Sequence, residues 1–182
     1  MDRKKLIRKR YFSIRKKKYF KISDNFFTPL INIFKKYRFN KKNISLYYPS
    51  SYEVNIFKIF NLKFFKKFNF SLPVIEENNT MNFYKWKTND ILRLNKFGIP
   101  EPIKSEIIIP NVILVPMLAY DTDKNRLGYG KGYYDKYLNK VFKEKKKILT
   151  IGVAFSFQKH KNLPVNDKDF KLSYIISEKG II

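Results

Sequence analysis

The chain has 182 residues, 44% of them hydrophobic and 18% aromatic, enough for one domain with a substantial core and too apolar for disorder. It has no cysteine, which excludes a disulfide framework, a thiolate nucleophile and a cysteine-ligated metal. No apolar run approaches the ~20 residues that span a bilayer, and no apolar secretory segment opens the chain, so the cytoplasm is the expected compartment.

The net charge is +24, from 39 Lys plus Arg against 15 Asp plus Glu. Such an excess usually signals nucleic acid or an anionic membrane. Here it is scattered through Arg15-Lys16-Lys17-Lys18, Lys35-Lys36, Lys41-Lys42, Lys66-Lys67 and Lys145-Lys146-Lys147. Lysine far outnumbers arginine, and Asn, Ile, Phe and Tyr are plentiful; these residues share A/T-rich codons. Scatter favours base-composition drift over a dedicated binding face. Nucleic acid is therefore not an expected partner, although a basic nucleic-acid-binding module on a degenerate nucleotide fold is the rival reading.

In chain order, Ile7, Tyr11 and Ile14 recur at helical spacing and predict a helix from about Asp2 to Phe20. Ser23 or Asp24 caps a second, from about Asn25 to Tyr37, with Leu30, Ile33 and Phe34 inward. Ile44 to Tyr48 reads as a strand, Val54 to Lys67 as a helix, and Phe70 to Ile75 and Asn82 to Trp86 as strands. Past the turn-rich Gly98-Ile-Pro-Glu-Pro102, Val112 to Val115 reads as a buried strand. A helix follows from about Gly132 to Phe142, then apolar Ile148 to Phe155 and a final strand at Tyr174 to Ser177. The alternation predicts a single-domain α/β fold over residues 1–182, a mainly parallel sheet flanked by helices.

The segment Arg126-Leu-Gly-Tyr-Gly-Lys-Gly-Tyr-Tyr-Asp135 carries the chemistry. Glycines at every second position let backbone N–H groups face an anion. Arg126 and Lys131 supply cations for phosphate oxygens, and Asp135 is a hard oxygen ligand suited to magnesium. It is neither a Walker A loop nor the dinucleotide fingerprint, because Gly132 follows Lys131 and the third glycine comes one residue early. A phosphate cradle and a flexible glycine loop both remain open on spacing alone. Its place beyond a strand end and before a helix favours the cradle.

Together with these residues, Val115-Pro-Met-Leu-Ala-Tyr-Asp121, Lys4-Lys-Leu-Ile-Arg8, Tyr52-Glu53-Val54, Ala154-Phe155 with Gln158, and Leu163-Pro164 with Asp167 and Asp169 occur in collinear order. The chain resembles the 5-formyltetrahydrofolate cyclo-ligase (5,10-methenyltetrahydrofolate synthetase) family from about residue 4 to residue 177. The resemblance implies conversion of 5-formyltetrahydrofolate to 5,10-methenyltetrahydrofolate, with ATP as co-substrate and Mg2+ as cofactor, by a protein expected to act as a monomer. It implies ATP contacts at Lys4, Lys5, Leu6, Ile7 and Arg8 and again at Arg126, Leu127, Gly128, Tyr129, Gly130, Lys131, Gly132, Tyr133 and Tyr134. It puts Tyr48, Glu53 and the stretch Tyr129 to Tyr133 on the folate, and Asp135 and Asp169 on the metal. Arg126 and Lys131 are the catalytic candidates, as cations for the transferring phosphoryl group. Three places depart from the family pattern: Tyr129 stands where Arg is common, Tyr120 replaces Phe, and Asn55-Ile56 follows Glu53-Val54.

Without the resemblance, Lys4 and Arg8 read first as a solvated helix face, and Glu53 equally as a helix cap. Asp121 and Asp123 read as turn formers. His160, the one histidine, is expected to be exposed, and Trp86 and Phe97 to serve as core or rim aromatics.

Overall fold

In the computed structural model, which describes residues 2–39, 42–144 and 147–182, the chain opens with helix α1 (Arg3–Lys18). Lys41, Lys145 and Lys146 of the basic runs lie outside the described residues. Asp2 caps α1, its carboxylate accepting the Lys4 N–H at 2.9 Å. The buried stripe is Ile7, Tyr11 and Arg15, whereas Ile14, predicted inward, is half-buried. The stride of four continues past Tyr11 and lands on an arginine.

Helix α2 (Thr28–Lys36) begins later than predicted, because Asp24–Phe27 form a 3-10 turn. Pro29 lacks an N–H and fits the first α-turn, which fixes the start. Strand β1 (Asn43–Ser45) is shorter than the predicted Ile44 to Tyr48. The helix expected over Val54 to Lys67 is instead two 3-10 turns, Ile56–Asn61 and Lys63–Lys67, broken by extended Leu62. Ile56 and Ile59 are both fully buried, and a spacing of three matches the 3-10 repeat.

Strands β2 (Asn69–Ile75), β3 (Met81–Lys85), β4 (Leu92–Leu94), β5 (Pro100–Pro102), β6 (Val112–Val115), β7 (Ala119–Tyr120) and β8 (Arg126–Leu127) follow. Helix α3 (Tyr133–Lys143) precedes β9 (Leu149–Val153), β10 (Tyr174–Ser177) and β11 (Gly180–Ile181). A 7-stranded sheet runs in the order β11-β10-β9-β6-β1-β2-β3. Strands β10, β9, β6, β1 and β2 pair parallel, and the edges β11 and β3 pair antiparallel. Strands β4 and β5, and β7 and β8, form separate two-stranded hairpins.

Both faces of the sheet are covered, as parallel sheets require. Alternation along β6 shows it directly: Val112 and Leu114 join the core under α2 and the 3-10 turns, while Ile113 and Val115 join the core under α3. A third cluster packs Ile7 and Tyr11 of α1 onto Leu118, Ala119, Leu127 and Leu163. That contact seats α1 on the β7–β8 hairpin. In the sheet, β1 leads to β2 on one side and β6 leads to β9 on the other. The carboxyl ends of β1 and β6 therefore diverge and open a crevice between them, the usual ligand position in such sheets.

Candidate active site

Two loops meet at this crevice. The one after β6 contains the hairpin and then the glycine segment. Asp121 builds the turn: its Oδ1 accepts the Asp123 and Asn125 N–H groups at 3.0 Å each, and its Oδ2 accepts Asn125 Nδ2 at 3.0 Å and the Leu163 N–H at 3.3 Å. Asp121 is thus a buried turn former, and exposed Asp123 is carried in the same turn. The turn returns the chain into β8, where Arg126 points inward.

The Arg126 side chain is only 4% exposed and pairs with Asp135 at 2.8 Å. It also donates to the Phe170 carbonyl at 2.9 Å, while the Phe170 N–H donates to Asp135 at 3.0 Å. The first turn of α3 is thereby tied to the segment that carries Asp169. Asp169 accepts the Asn166 N–H at 2.8 Å and pairs with Lys4 of α1. The proposed metal ligands Asp135 and Asp169 are therefore linked through Phe170, although distant in sequence. Among the described residues no group of three or more His, Asp or Glu forms a ready metal cage. The donor set still fits magnesium: Oδ2 of Asp135 and Oδ1 of Asp169 make no hydrogen bond among the described residues. Mg2+ commonly takes one or two carboxylates and completes its shell with phosphate and water.

Helix α1 brings Arg8 to the glycine segment while its Lys4 reaches Asp169, with Ile7 buried between them in sequence. Arg8 Nε donates to the Gly128 carbonyl at 2.9 Å. A Cβ on Gly130, which has φ +101°, would stand 3.3 Å from the Arg8 guanidinium carbon, so the glycine permits the close approach. Lys5 and Leu6 are exposed and are not drawn into this contact surface. Lys131 is exposed, its ammonium 5.6 Å from the centroid of the Phe97 ring. Gly132, at φ +69°, caps α3. Half-buried Tyr133 lies beside Phe97, with centroids 6.3 Å apart. The Tyr134 hydroxyl is buried without a partner among the described residues, and burial pushes its pKa far above the ordinary tyrosine value. An orphaned buried hydroxyl of this kind is what a ligand would satisfy.

The loop after β1 supplies the other wall. Ser51 and Tyr52 both adopt left-handed backbone, uncommon for non-glycine residues. This tight turn brings Glu53 back so that its Oε2 accepts the Ser50 N–H at 2.9 Å. Glu53, Tyr48, Tyr19, Ser50, Asn55 and Phe57 line a cavity of about 370 Å³. The two walls join where the Tyr129 hydroxyl donates to Glu53 Oε1 at 2.6 Å. Burial raises the Glu53 pKa above the ordinary carboxylate range, opposed first by the Arg15 charge and then by the Tyr129 and Ser50 hydrogen bonds.

Arg15 was not among the residues singled out from sequence. Its position in the run Arg15-Lys16-Lys17-Lys18 disguised it as solvated charge; the available signal was its place four residues after Tyr11. Of the other singled-out residues, Trp86 is core and stacks on Phe57 at 5.4 Å, and Phe97 is a 43% exposed rim aromatic. His160 differs from expectation: it is half-buried beside Tyr11, and its Nδ1 accepts the Asn162 N–H at 3.1 Å. The cause is α1, whose Tyr11 hydroxyl reaches the Lys159 carbonyl at 2.8 Å.

Comparison with known proteins agrees with this architecture. The model of the 5-formyltetrahydrofolate cyclo-ligase family matches residues 3–178. A 5-formyltetrahydrofolate cyclo-ligase of Mycoplasma genitalium is 33% identical over 137 residues, 74% of this chain and 72% of that protein. The Haemophilus influenzae protein of the same name is 28% identical over 142 residues, 74% and 75% of the respective chains. The structure of Aquifex aeolicus 5,10-methenyltetrahydrofolate synthetase superposes with a TM-score of 0.73 at 29% identity, covering 98% of this chain and 91% of that one. The Mycoplasma pneumoniae 5,10-methenyltetrahydrofolate synthetase gives 0.72 at 25% identity, covering 97% and 98%. With a family match along nearly its whole length and a shared fold, the chain belongs to the 5-formyltetrahydrofolate cyclo-ligase family of enzymes.

Proposed function

We propose that the chain converts 5-formyltetrahydrofolate and ATP to 5,10-methenyltetrahydrofolate, ADP and phosphate, with magnesium. The observation that carries this reading is the meeting of two unlike walls at the β1/β6 crevice. One is a cation-rich glycine segment backed by Arg8, with Lys4 held on Asp169, and the other is the cavity lined by Tyr48 and Glu53. The first suits polyphosphate. The second is aromatic, with a single buried carboxylate, and suits a flat heterocycle rich in N–H donors.

The formyl oxygen of an amide is a poor leaving group. In the proposed reaction it attacks the γ-phosphorus of ATP, the β–γ oxygen bond breaks, and ADP departs. N10 then attacks the activated carbon, the carbon–oxygen bond to phosphate breaks, and N10 loses its proton. No nucleophilic side chain is needed; positioning and charge neutralisation do the catalysis. Asp135 and Asp169 would hold magnesium, which when bound neutralises charge on phosphate oxygens. Lys131, exposed on the glycine segment, would meet the transferring phosphoryl group, and Arg126 fixes Asp135 and adds its charge to the site. Lys4 and Arg8 bind the nucleotide, and Tyr48 and Glu53 orient the folate.

The proposal takes residues 1–182 as one catalytic unit acting as a monomer in the cytoplasm. Among the described residues no helix is long and apolar enough to cross a membrane. The test is absorbance of methenyltetrahydrofolate in a mixture of protein, 5-formyltetrahydrofolate, ATP and Mg2+, with each omitted in turn. Product that requires every component supports the proposal. Folded protein that binds ATP yet forms no product rejects this substrate.

A further inference from the structure

Arg15 is fully buried, yet an arginine cannot shed its charge inside a protein. A buried cation must be answered by an acceptor or a carboxylate, or the fold is strongly penalised. Its Nη1 donates to the Met117 carbonyl at 3.2 Å, and its Nη2 donates to the Tyr129 hydroxyl at 2.6 Å. Its guanidinium carbon lies 5.4 Å from the centroid of the Tyr129 ring. Its Nε has no partner among the described residues.

Because Arg15 is donor-only, the Tyr129 oxygen must accept from it, and the Tyr129 proton is left for Glu53 Oε1 at 2.6 Å. The Ser50 N–H and hydroxyl also donate to Glu53, at 2.9 and 3.4 Å. From Arg15 Nη2 through Tyr129 to Glu53, each hydrogen bond runs toward the carboxylate. The arrangement favours Glu53 as an anion.

We propose that Arg15 is a positioning residue for the folate subsite: through Tyr129 it fixes Glu53 as an ionised acceptor at the cavity wall, selecting ligands that offer adjacent N–H donors. The 2-amino-4-oxo ring of a reduced pterin offers such an edge. The inference rests on the reading that the cavity lined by Tyr48 and Glu53 receives the folate. It makes Tyr129 a relay between a cation on α1 and the substrate wall.

The pH sign follows. The titratable and charged groups facing Glu53 are Arg15 on α1, Tyr129 in the glycine segment, Tyr134 on α3 and Tyr47 after β1. Burial raises the Glu53 pKa, and Arg15 is the leading opposing influence. Binding that needs the anion is lost as pH falls through that pKa. Removing Arg15 raises the pKa further, so the acid limb moves to higher pH.

The experiment is calorimetric binding of 5-formyltetrahydrofolate without ATP, and separately of a non-hydrolysable ATP analogue with Mg2+. It compares the native protein with Arg15→Met, Arg15→Lys and Tyr129→Phe, with circular dichroism as the check on folding. Arg15→Met is expected to weaken folate binding about tenfold or more while nucleotide affinity stays within about twofold. Its acid limb moves up by about one pH unit or more. Arg15→Lys restores part of both, because it returns the charge without the planar fork. Folded Arg15→Met with native folate affinity and an unmoved acid limb overturns the inference. If Arg15→Met does not fold, Tyr129→Phe decides: its residue lies in an exposed loop, and weakened folate binding with an upward limb supports the relay, whereas native behaviour overturns it. A native protein that binds no folate rejects the proposed function, and the inference with it.

Discussion

Arg126 and Lys131 look like equivalent phosphate cations in sequence, but their surroundings predict unequal stability effects. Arg126→Ala removes a charge-assisted bond to Asp135 and a bond to the Phe170 carbonyl. Such bonds contribute about 1.5–3 and about 1 kcal/mol respectively. Asp135 is 26% exposed, so water recovers part of the first, leaving a net loss of about 2–3 kcal/mol. For a chain of this size that lowers Tm by about 4–12 °C. Lys131→Ala removes an exposed ammonium beside the Phe97 ring, worth about 0.5 kcal/mol, and shifts Tm by no more than about 2 °C. Turnover should fall about a hundredfold in Lys131→Ala, the usual loss on removing one transition-state charge partner. Thermal unfolding by circular dichroism and the methenyl absorbance assay, on the same preparations, separate the two effects. An unchanged Tm in Arg126→Ala, or a large drop in Lys131→Ala, would refute the division of roles. Near-native turnover in both would remove them from the catalytic assignment.

Gly130→Ala places a methyl group 3.3 Å from the Arg8 guanidinium carbon at φ +101°. It should destabilise by about 1–3 kcal/mol and raise the KM for ATP more than that for folate, measured by initial rates with each substrate varied. Gly152 lies in β9, where a Cβ would meet Met117 Cε at 2.3 Å and Leu172 Cδ1 at 2.8 Å. Gly152→Ala should overpack the sheet by about 1–3 kcal/mol, seen as a lower urea midpoint with the kinetic constants of the folded protein retained. Asp169→Asn removes a proposed magnesium ligand and the partner of Lys4. Its half-saturating Mg2+ concentration should rise about tenfold or more, while the KM for 5-formyltetrahydrofolate moves little; an unchanged Mg2+ titration would exclude Asp169 from the metal.

What could be read in advance was whatever lay in local pattern. The unbroken apolar run Val112 to Val115 identified a strand covered on both faces, and the step from Gly132 into Tyr133 marked the start of α3. The 3-10 turns at Ile56–Asn61 and Lys63–Lys67 were misread as one helix, because apolar spacing of three and of four overlaps in an aromatic-rich stretch. Strands β7 and β8 are two residues each and show no periodicity; side-chain bonds from Asp121 hold them. The glycine segment stood out by its own spacing. The pairing of Arg126 with Asp135, and the link from Asp135 through Phe170 toward Asp169, depend on how β8, α3 and the 166–170 segment pack. Arg15 was hidden for a further reason: cations are rarely buried, and the groups that make it tolerable, Met117, Tyr129 and Glu53, are distant in sequence.

The central claim is that the formyl oxygen is phosphorylated and leaves as part of the released phosphate. Its most direct test is turnover of 5-formyltetrahydrofolate carrying a heavy-oxygen label on the formyl group, with mass analysis of the released phosphate. The account predicts one labelled oxygen in each phosphate, matched by one ADP and one methenyltetrahydrofolate. Unlabelled phosphate, with the label recovered in water, would contradict it.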